Sequence, residues 1–152
     1  MSEVDLHLHT TCSDGTLTPA QLVRLCAERG LKTIAVSDHD STDGLQDALE
    51  AARAFPGLTV IPGVELSTDV PGAEVHLLGY FVDYEDADLQ RILNDLRAGR
   101  MTRARGMVER LNELGVEVLW ERVLELSGGG AVGRPHIAQA MVDAGHVRYP
   151  RE

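Results

Sequence analysis

The first half of the chain alternates short strand-like apolar stretches with helical patterns. Val4 to Leu8 reads VDLHL, with Val4, Leu6 and Leu8 set against Asp5 and His7 as in a strand. Thr18-Pro19-Ala20-Gln21 has the form of a capping box with proline at the first helical position, predicting a helix to about Arg29 that Gly30 closes. Thr33 to Ser37 predicts a buried strand. Asp43 with Gln46 is expected to cap a second helix running to about Ala54, and Leu58 to Ile61 is the next strand. A β-α-β-α-β order with short connections implies parallel strands, right-handed crossovers and the α/β class.

Beyond a break at Pro62-Gly63, Glu65 and Leu66 continue the chain. A turn at Val70-Pro71-Gly72 leads to a strand from Glu74 to Val82. Asp86 to Leu114 carries Leu89, Ile92, Leu93, Leu96, Met107, Val108 and Leu111 at three-and-four spacing, the pattern of a long helix that Gly99 and Gly106 would bend or divide. Gly115 ends it, and Val118 to Leu126 suggests another helix. Gly128-Gly129-Gly130 interrupts the chain, and Pro135 opens a final helix through Met141 and Val142.

With 152 residues and 43% apolar content, the chain is read as one domain spanning 1–152. Its formal charge of -10 argues against a broad grip on duplex nucleic acid or an anionic membrane. The acid excess sits in residues 1 to 76, which carry 12 acids and 4 bases. Such an excess can collect cations. The arginines from Arg97 to Arg110 are read as ordinary solvation of a helix surface. Only Cys12 and Cys26 are present, without metal-binding spacing, and there is no leader-like or membrane-length apolar segment. A reducing cytoplasm is the expected location.

The chemistry lies in the histidines and their carboxylate neighbours. His7 and His9 are two residues apart, so both rings can share one side of a strand. Asp14 follows in the next loop, His39 directly after the second strand, Glu65 after the third, and His76 one strand later. In parallel α/β folds the carboxyl ends of the strands converge on the functional face, so these side chains are expected to meet. Imidazole with carboxylate suits two or three Mn²⁺, Zn²⁺ or Fe²⁺ ions and weighs against a site for Mg²⁺ alone. Taken singly, His7 or His39 could merely hydrogen-bond at a strand end and Glu65 could cap a helix. The joint recurrence favours metal.

Asp38 and Asp40 either orient metal-bound imidazoles or cap the surface, and Asp5 faces the same question. Cys12 lacks a paired base and is not read as a nucleophile. His146 is read as a helix-end or surface residue. Arg134 and His136, in Gly133-Arg134-Pro135-His136, form a second candidate: a guanidinium at a helix start that holds phosphate, or a surface arginine before a proline-started helix. The chain lacks GxxxxGK[ST] and has a single lysine, Lys32, which leaves P-loop hydrolysis unsupported.

The segments Asp5-Leu6-His7-Leu8-His9, Ser13-Asp14-Gly15, Ser37-Asp38-His39-Asp40, Pro62-Gly63-Val64-Glu65-Leu66-Ser67, Val75-His76-Leu77-Leu78-Gly79 and Gly133-Arg134-Pro135-His136 together resemble the polymerase and histidinol phosphatase (PHP) family, closest to its stand-alone bacterial phosphoesterases. The resemblance implies a distorted seven-stranded β/α barrel, of which this chain corresponds to the amino-terminal part, holding two or three divalent ions. His7 and His9 would bind one metal, Glu65 would bridge it to a second bound by His76, and Asp14 with His39 would serve a third. Arg134 would contact phosphate, and His136 or a residue beyond the chain would help protonate the leaving oxygen. The implied substrates are 3',5'-nucleoside bisphosphates or short 5'-phosphorylated RNA, with histidinol phosphate in related branches.

The family's late His-Pro and Asp-x-His segments do not follow His76 here, so the domain is read as truncated at its carboxyl end or as a shortened form. The rival functions are a metal-dependent carbon-nitrogen hydrolase, which a phosphate-holding Arg134 would disfavour, and a non-catalytic metal-stabilised domain.

Overall fold

The computed structural model describes residues 3–70 and 73–150. Pro71 and Gly72 of the expected turn, and Arg151 and Glu152, lie outside the described residues. The chain builds a four-stranded sheet in the order β1-β2-β3-β4, followed by three helices. β1 (Val4–Leu8), β2 (Thr33–Val36) and the first part of β3 (Thr59–Val70) run parallel, joined by α1 (Pro19–Glu28) and α2 (Leu45–Ala52). The α/β class is the one expected from the sequence.

α1 begins as its residues dictate. Thr18 Oγ1 accepts from the Gln21 amide, and the Gln21 side chain accepts from the Thr18 amide. α2 does not begin as expected. Gly44, not Asp43, stands at its cap, and no side chain closes the turn. The Leu45 N–H instead donates to the Thr42 carbonyl, which serves the amide that a cap side chain would otherwise satisfy.

The larger departure is in β3. Pro62-Gly63 does not break it, because Pro62 pairs with Val36 at the end of the parallel ladder and Gly63 already pairs with Tyr80 of β4 (Ala73–Tyr80). β3 and β4 form a long antiparallel hairpin, so Glu65 and His76 lie inside strands and not at their ends. The fourth strand is therefore antiparallel to the third, unlike the three parallel strands before it. Tyr80 Oη donates to the Leu6 carbonyl at 3.0 Å. This contact between the two outer strands shows that the sheet curls on itself.

Leu22, Val23 and Cys26 of α1, Leu45 and Ala48 of α2, and Ile34 and Val36 of β2 form a core between the helices and the sheet. Val4 and Leu6, expected on the buried face of β1, are more than a third exposed; β1 is an outer strand whose register shifts between Asp5 and Leu8. α3 (Ala87–Glu113) is one continuous helix of 27 residues, undivided at Gly99 and Gly106, and Asp86 caps it through the Leu89 amide. α3 packs with α4 (Trp120–Ser127) and α5 (Arg134–Asp143) around a second core that includes Val108, Val123, Val132 and Ile137. Among the described residues, no helix is long and apolar enough to cross a membrane.

Candidate metal centre

The centre begins with backbone pairing. His39 and Glu65 are bridge partners: the Glu65 N–H donates to the Asp38 carbonyl and the Asp40 N–H to the Glu65 carbonyl. Two residues beyond Glu65, Ser67 pairs with His76 on β4. His7 and His9 leave β1 on one side, with ring centroids 5.0 Å apart.

Glu65, whose side chain is 6% exposed, is the hub. Its Oε2 lies 2.8 Å from His7 Nε2, 3.0 Å from His9 Nε2 and 3.4 Å from His39 Nδ1, while Oε1 lies 2.7 Å from His76 Nδ1. Asp14 closes the other side, 3.0 Å from His9 Nδ1 and 3.5 Å from His39 Nε2. The six side chains expected to meet stand together.

Burial by itself would raise the carboxyls of Asp14 and Glu65. For Asp14 the hydrogen bonds with His39 and His9 outweigh it, and for Glu65 those with His7 and His76 together with the His39 charge do so, holding both groups below the ordinary carboxylate range. Burial likewise works against the His9 imidazolium, yet the Asp14 hydrogen bond and the charges of Asp14 and Glu65 raise it above the ordinary histidine value.

The donors fit divalent cations. His7, His9 and Glu65 form one group whose ligand atoms lie within 4.8 Å of one another; His39, Glu65 and His76 form a second, and His9, Asp14 and His39 a third. Buried His39 Nδ1 makes no hydrogen bond among the described residues, a costly state that a cation would relieve. Four imidazoles and two carboxylates form a nitrogen and oxygen set of borderline character.

The neighbouring loops explain how the candidate ligands are held. Among the described residues Asp38 makes no direct hydrogen bond to an imidazole; it reaches His9 only through Ser13, whose Oγ lies 3.4 Å from His9 Nδ1. Buried, Asp38 accepts from the Thr10 amide at 2.7 Å, Thr10 Oγ1 at 2.6 Å and Ser13 Oγ at 2.5 Å, tying down the loop between His9 and Asp14. Asp40 does not cap the surface either, since its side chain is fully buried beneath Arg100. Asp5 accepts from the His7 amide at 3.2 Å. Burial raises the Cys12 thiol, which leaves it a poor nucleophile. His146 Nε2 lies 2.8 Å from the Glu117 carbonyl at the surface.

Two glycines allow the close packing around this loop. A Cβ on Gly15 would stand 2.4 Å from the His9 carbonyl oxygen, and one on Gly130 would stand 2.8 Å from that of Thr11. Gly130 thus lets the segment before α5 lie against the loop, where the Ala131 amide bonds to the Cys12 carbonyl. Gly15→Ala is expected to lower stability by about 1–3 kcal/mol, because backbone and not a flexible side chain must move. Urea unfolding of the two proteins measures it, and an unchanged midpoint would contradict the clash.

Beside the centre is a cavity of about 470 Å³ whose lining includes Asp14, His39, His76, Arg100, Arg103 and Arg134. Arg134 is exposed at the first turn of α5. His136 is buried outside that lining, and its Nδ1 accepts from the Gly133 amide at 3.0 Å, so it caps the helix start. Burial lowers its proton affinity below the ordinary histidine value. The unfolded chain therefore binds the proton more readily, and this stabilising contribution, complete above the ordinary value, fades as pH falls through it. Melting temperatures of His136→Gln and the parent protein should accordingly converge between about pH 7.5 and 5. A constant difference would rule out this source of pH dependence.

Sequence reasoning missed Arg97 and Arg100. Arg97 Nη1 donates to the Asp40 carbonyl at 2.9 Å, and Arg100 Nε to Asp40 Oδ2 at 2.8 Å. The signal was present in the recurrence of arginine at 97, 100 and 103, which places one helical face over the site.

The PHP domain model matches residues 5–93. The chain is 39% identical over 142 residues to the 5'-3' exoribonuclease Rnm of Salmonella typhimurium, covering 93% of this chain and 48% of that protein. It is 34% identical over 152 residues to the 3',5'-nucleoside bisphosphate phosphatase of Chromobacterium violaceum, covering 99% and 53%. The chain thus spans about half the length of these curated relatives. A Bifidobacterium adolescentis crystal structure assigned as a metal-dependent phosphoesterase superposes with a TM-score of 0.88 at 35% identity, covering 97% of this chain and 52% of the other. With a family match over more than half its length, on a curled α/β sheet that gathers the matching histidines and carboxylates, the chain belongs to the PHP domain family.

Proposed function

We propose that this chain carries the metal centre and part of the phosphate-binding wall of a divalent-metal-dependent phosphoesterase. Its substrates are phosphomonoesters of nucleotides, either 3',5'-nucleoside bisphosphates or short 5'-phosphorylated RNA. The observation that carries this reading is Glu65 shared between two histidine groups, directly beside a cavity lined by three arginines. The names of the exoribonuclease and bisphosphate phosphatase relatives support nucleotide substrates. A neutral carbon-nitrogen substrate would give the arginines no anion to hold.

His7, His9 and Glu65 would hold one ion, and His39, Glu65 and His76 a second, with Asp14 drawing His9 and His39 toward a third position. When bound, Mn²⁺, Zn²⁺ or Fe²⁺ neutralises phosphoryl charge and supplies water acidic enough to react at neutral pH. The chain's own groups do the rest. Arg134 orients the phosphate, helped by the positive end of α5, and Arg100 and Arg103 close the cavity wall. His136 acts through the helix start that positions Arg134, since its Nδ1 is committed to Gly133.

The complete natural protein, stripped of metal and reloaded with Mn²⁺, should release inorganic phosphate from adenosine 3',5'-bisphosphate, and EDTA should stop it. A preparation that fails to take up Mn²⁺, or that takes it up and releases no phosphate from any member of a nucleotide phosphomonoester panel, overturns the proposal.

A further inference from the structure

A second concavity, of about 550 Å³, runs between α3 and α5. Met107, Leu111 and Met141 give it apolar walls, Arg103, Arg110 and Arg134 stand along it, and among the described residues its lining holds no acidic side chain. In a chain of net charge -10, this concentration of guanidinium groups beside apolar surface selects for anions attached to apolar groups. The groove also continues the cavity at the metal centre, since Arg103, Met107 and Arg134 line both.

We infer that the groove between α3 and α5 is a subsite for the second nucleotide of a single-stranded substrate whose terminal phosphate lies at the metal centre. The inference rests on the phosphoesterase reading and adds to it where the rest of the substrate goes. A base supplies a flat apolar face for the methionine and leucine walls, and the following phosphate meets the arginines. Arg110 pairs with Glu113 at 2.7 Å, but both side chains are more than 60% exposed. An ion pair so open to water is readily exchanged for a phosphate. An acidic amphipathic peptide would match the same surface, but continuity with the centre favours a ligand that enters both cavities.

The test compares adenosine 3',5'-bisphosphate with a 5'-phosphorylated RNA pentanucleotide in the parent protein, Arg110→Glu and Met141→Glu. Arg110→Glu changes an exposed position, so it keeps the test valid if the half-buried Met141 change impairs folding. Kcat/KM for the pentanucleotide should fall at least about tenfold in Arg110→Glu while the bisphosphate value stays within about twofold. Fluorescence anisotropy of the labelled pentanucleotide in EDTA should weaken in parallel. Equal loss for both substrates, no loss for either, or a change in oligomeric state with unaltered RNA binding would overturn the inference. Failure of the parent protein to hydrolyse any phosphomonoester would instead count against the phosphoesterase reading, which this comparison separates from the groove.

Discussion

Glu65→Gln is expected to reduce Mn²⁺ affinity by more than about 100-fold and to abolish phosphate release, a loss beyond the 10–100-fold typical of groups that only support a ligand. The substitution preserves side-chain volume and an oxygen while removing the charge that both histidine groups share. Among the described residues no other carboxylate shares these groups: Asp14 contacts His9 and His39, and it stands outside the groups containing His7 and His76. Calorimetric titration with Mn²⁺, metal stoichiometry by mass spectrometry, and phosphate release give three readouts. Circular dichroism should show the fold retained, because the sheet pairing of Glu65 uses only its backbone. Unchanged Mn²⁺ affinity and stoichiometry would remove Glu65 from the centre and with it the proposed chemistry.

Part of the candidate centre was legible because two of its residues, His7 and His9, are separated by simple strand periodicity. His7 and His9 share a face by spacing alone, and the parallel ladder brings His39 beside them. The hairpin was less legible. A proline and a glycine in sequence read as a stop, yet Pro62 sits where its missing N–H harms no ladder, and Gly63 fits where a Cβ would meet the Val36 and Gly79 carbonyl oxygens at 3.0 and 3.1 Å. That passage from parallel to antiparallel pairing puts Glu65 and His76 in mid-strand. The expectation that they would meet the other ligands held for a different geometric reason.

Asp38 and Asp40 show a different limit. Each carboxylate flanks His39, and local sequence offers no means of separating their roles. Asp38 turns toward Thr10 and Ser13, whereas Asp40 adopts a positive φ of 49° and turns beneath α3. Their partners lie about 25 to 60 residues away along the chain, and only the tertiary fold selects them. Arg100 was missed for the same reason, since a helical arginine reads as solvated until the surface it faces is known.

That buried pair sets the largest expected stability change. Asp40 accepts from Ser67 through its amide at 2.8 Å and its hydroxyl at 2.6 Å, and from Arg100 Nε at 2.8 Å; Arg100 Nη2 also donates to Ser67 Oγ. Arg100→Met should destabilise the protein by about 3–5 kcal/mol, since Asp40 is fully buried and cannot turn to water when its cation is lost. Asp40→Asn should cost less, about 1–3 kcal/mol, because Arg100 lines the cavity and its guanidinium can regain hydration there. The Arg100→Met, Asp40→Asn double variant should fall short of the sum, since the second change removes the stranded charge left by the first. Urea unfolding of all four proteins closes the cycle. Additive losses, or a larger loss from Asp40→Asn than from Arg100→Met, would show that this pair is not what fastens α3 over the candidate metal centre.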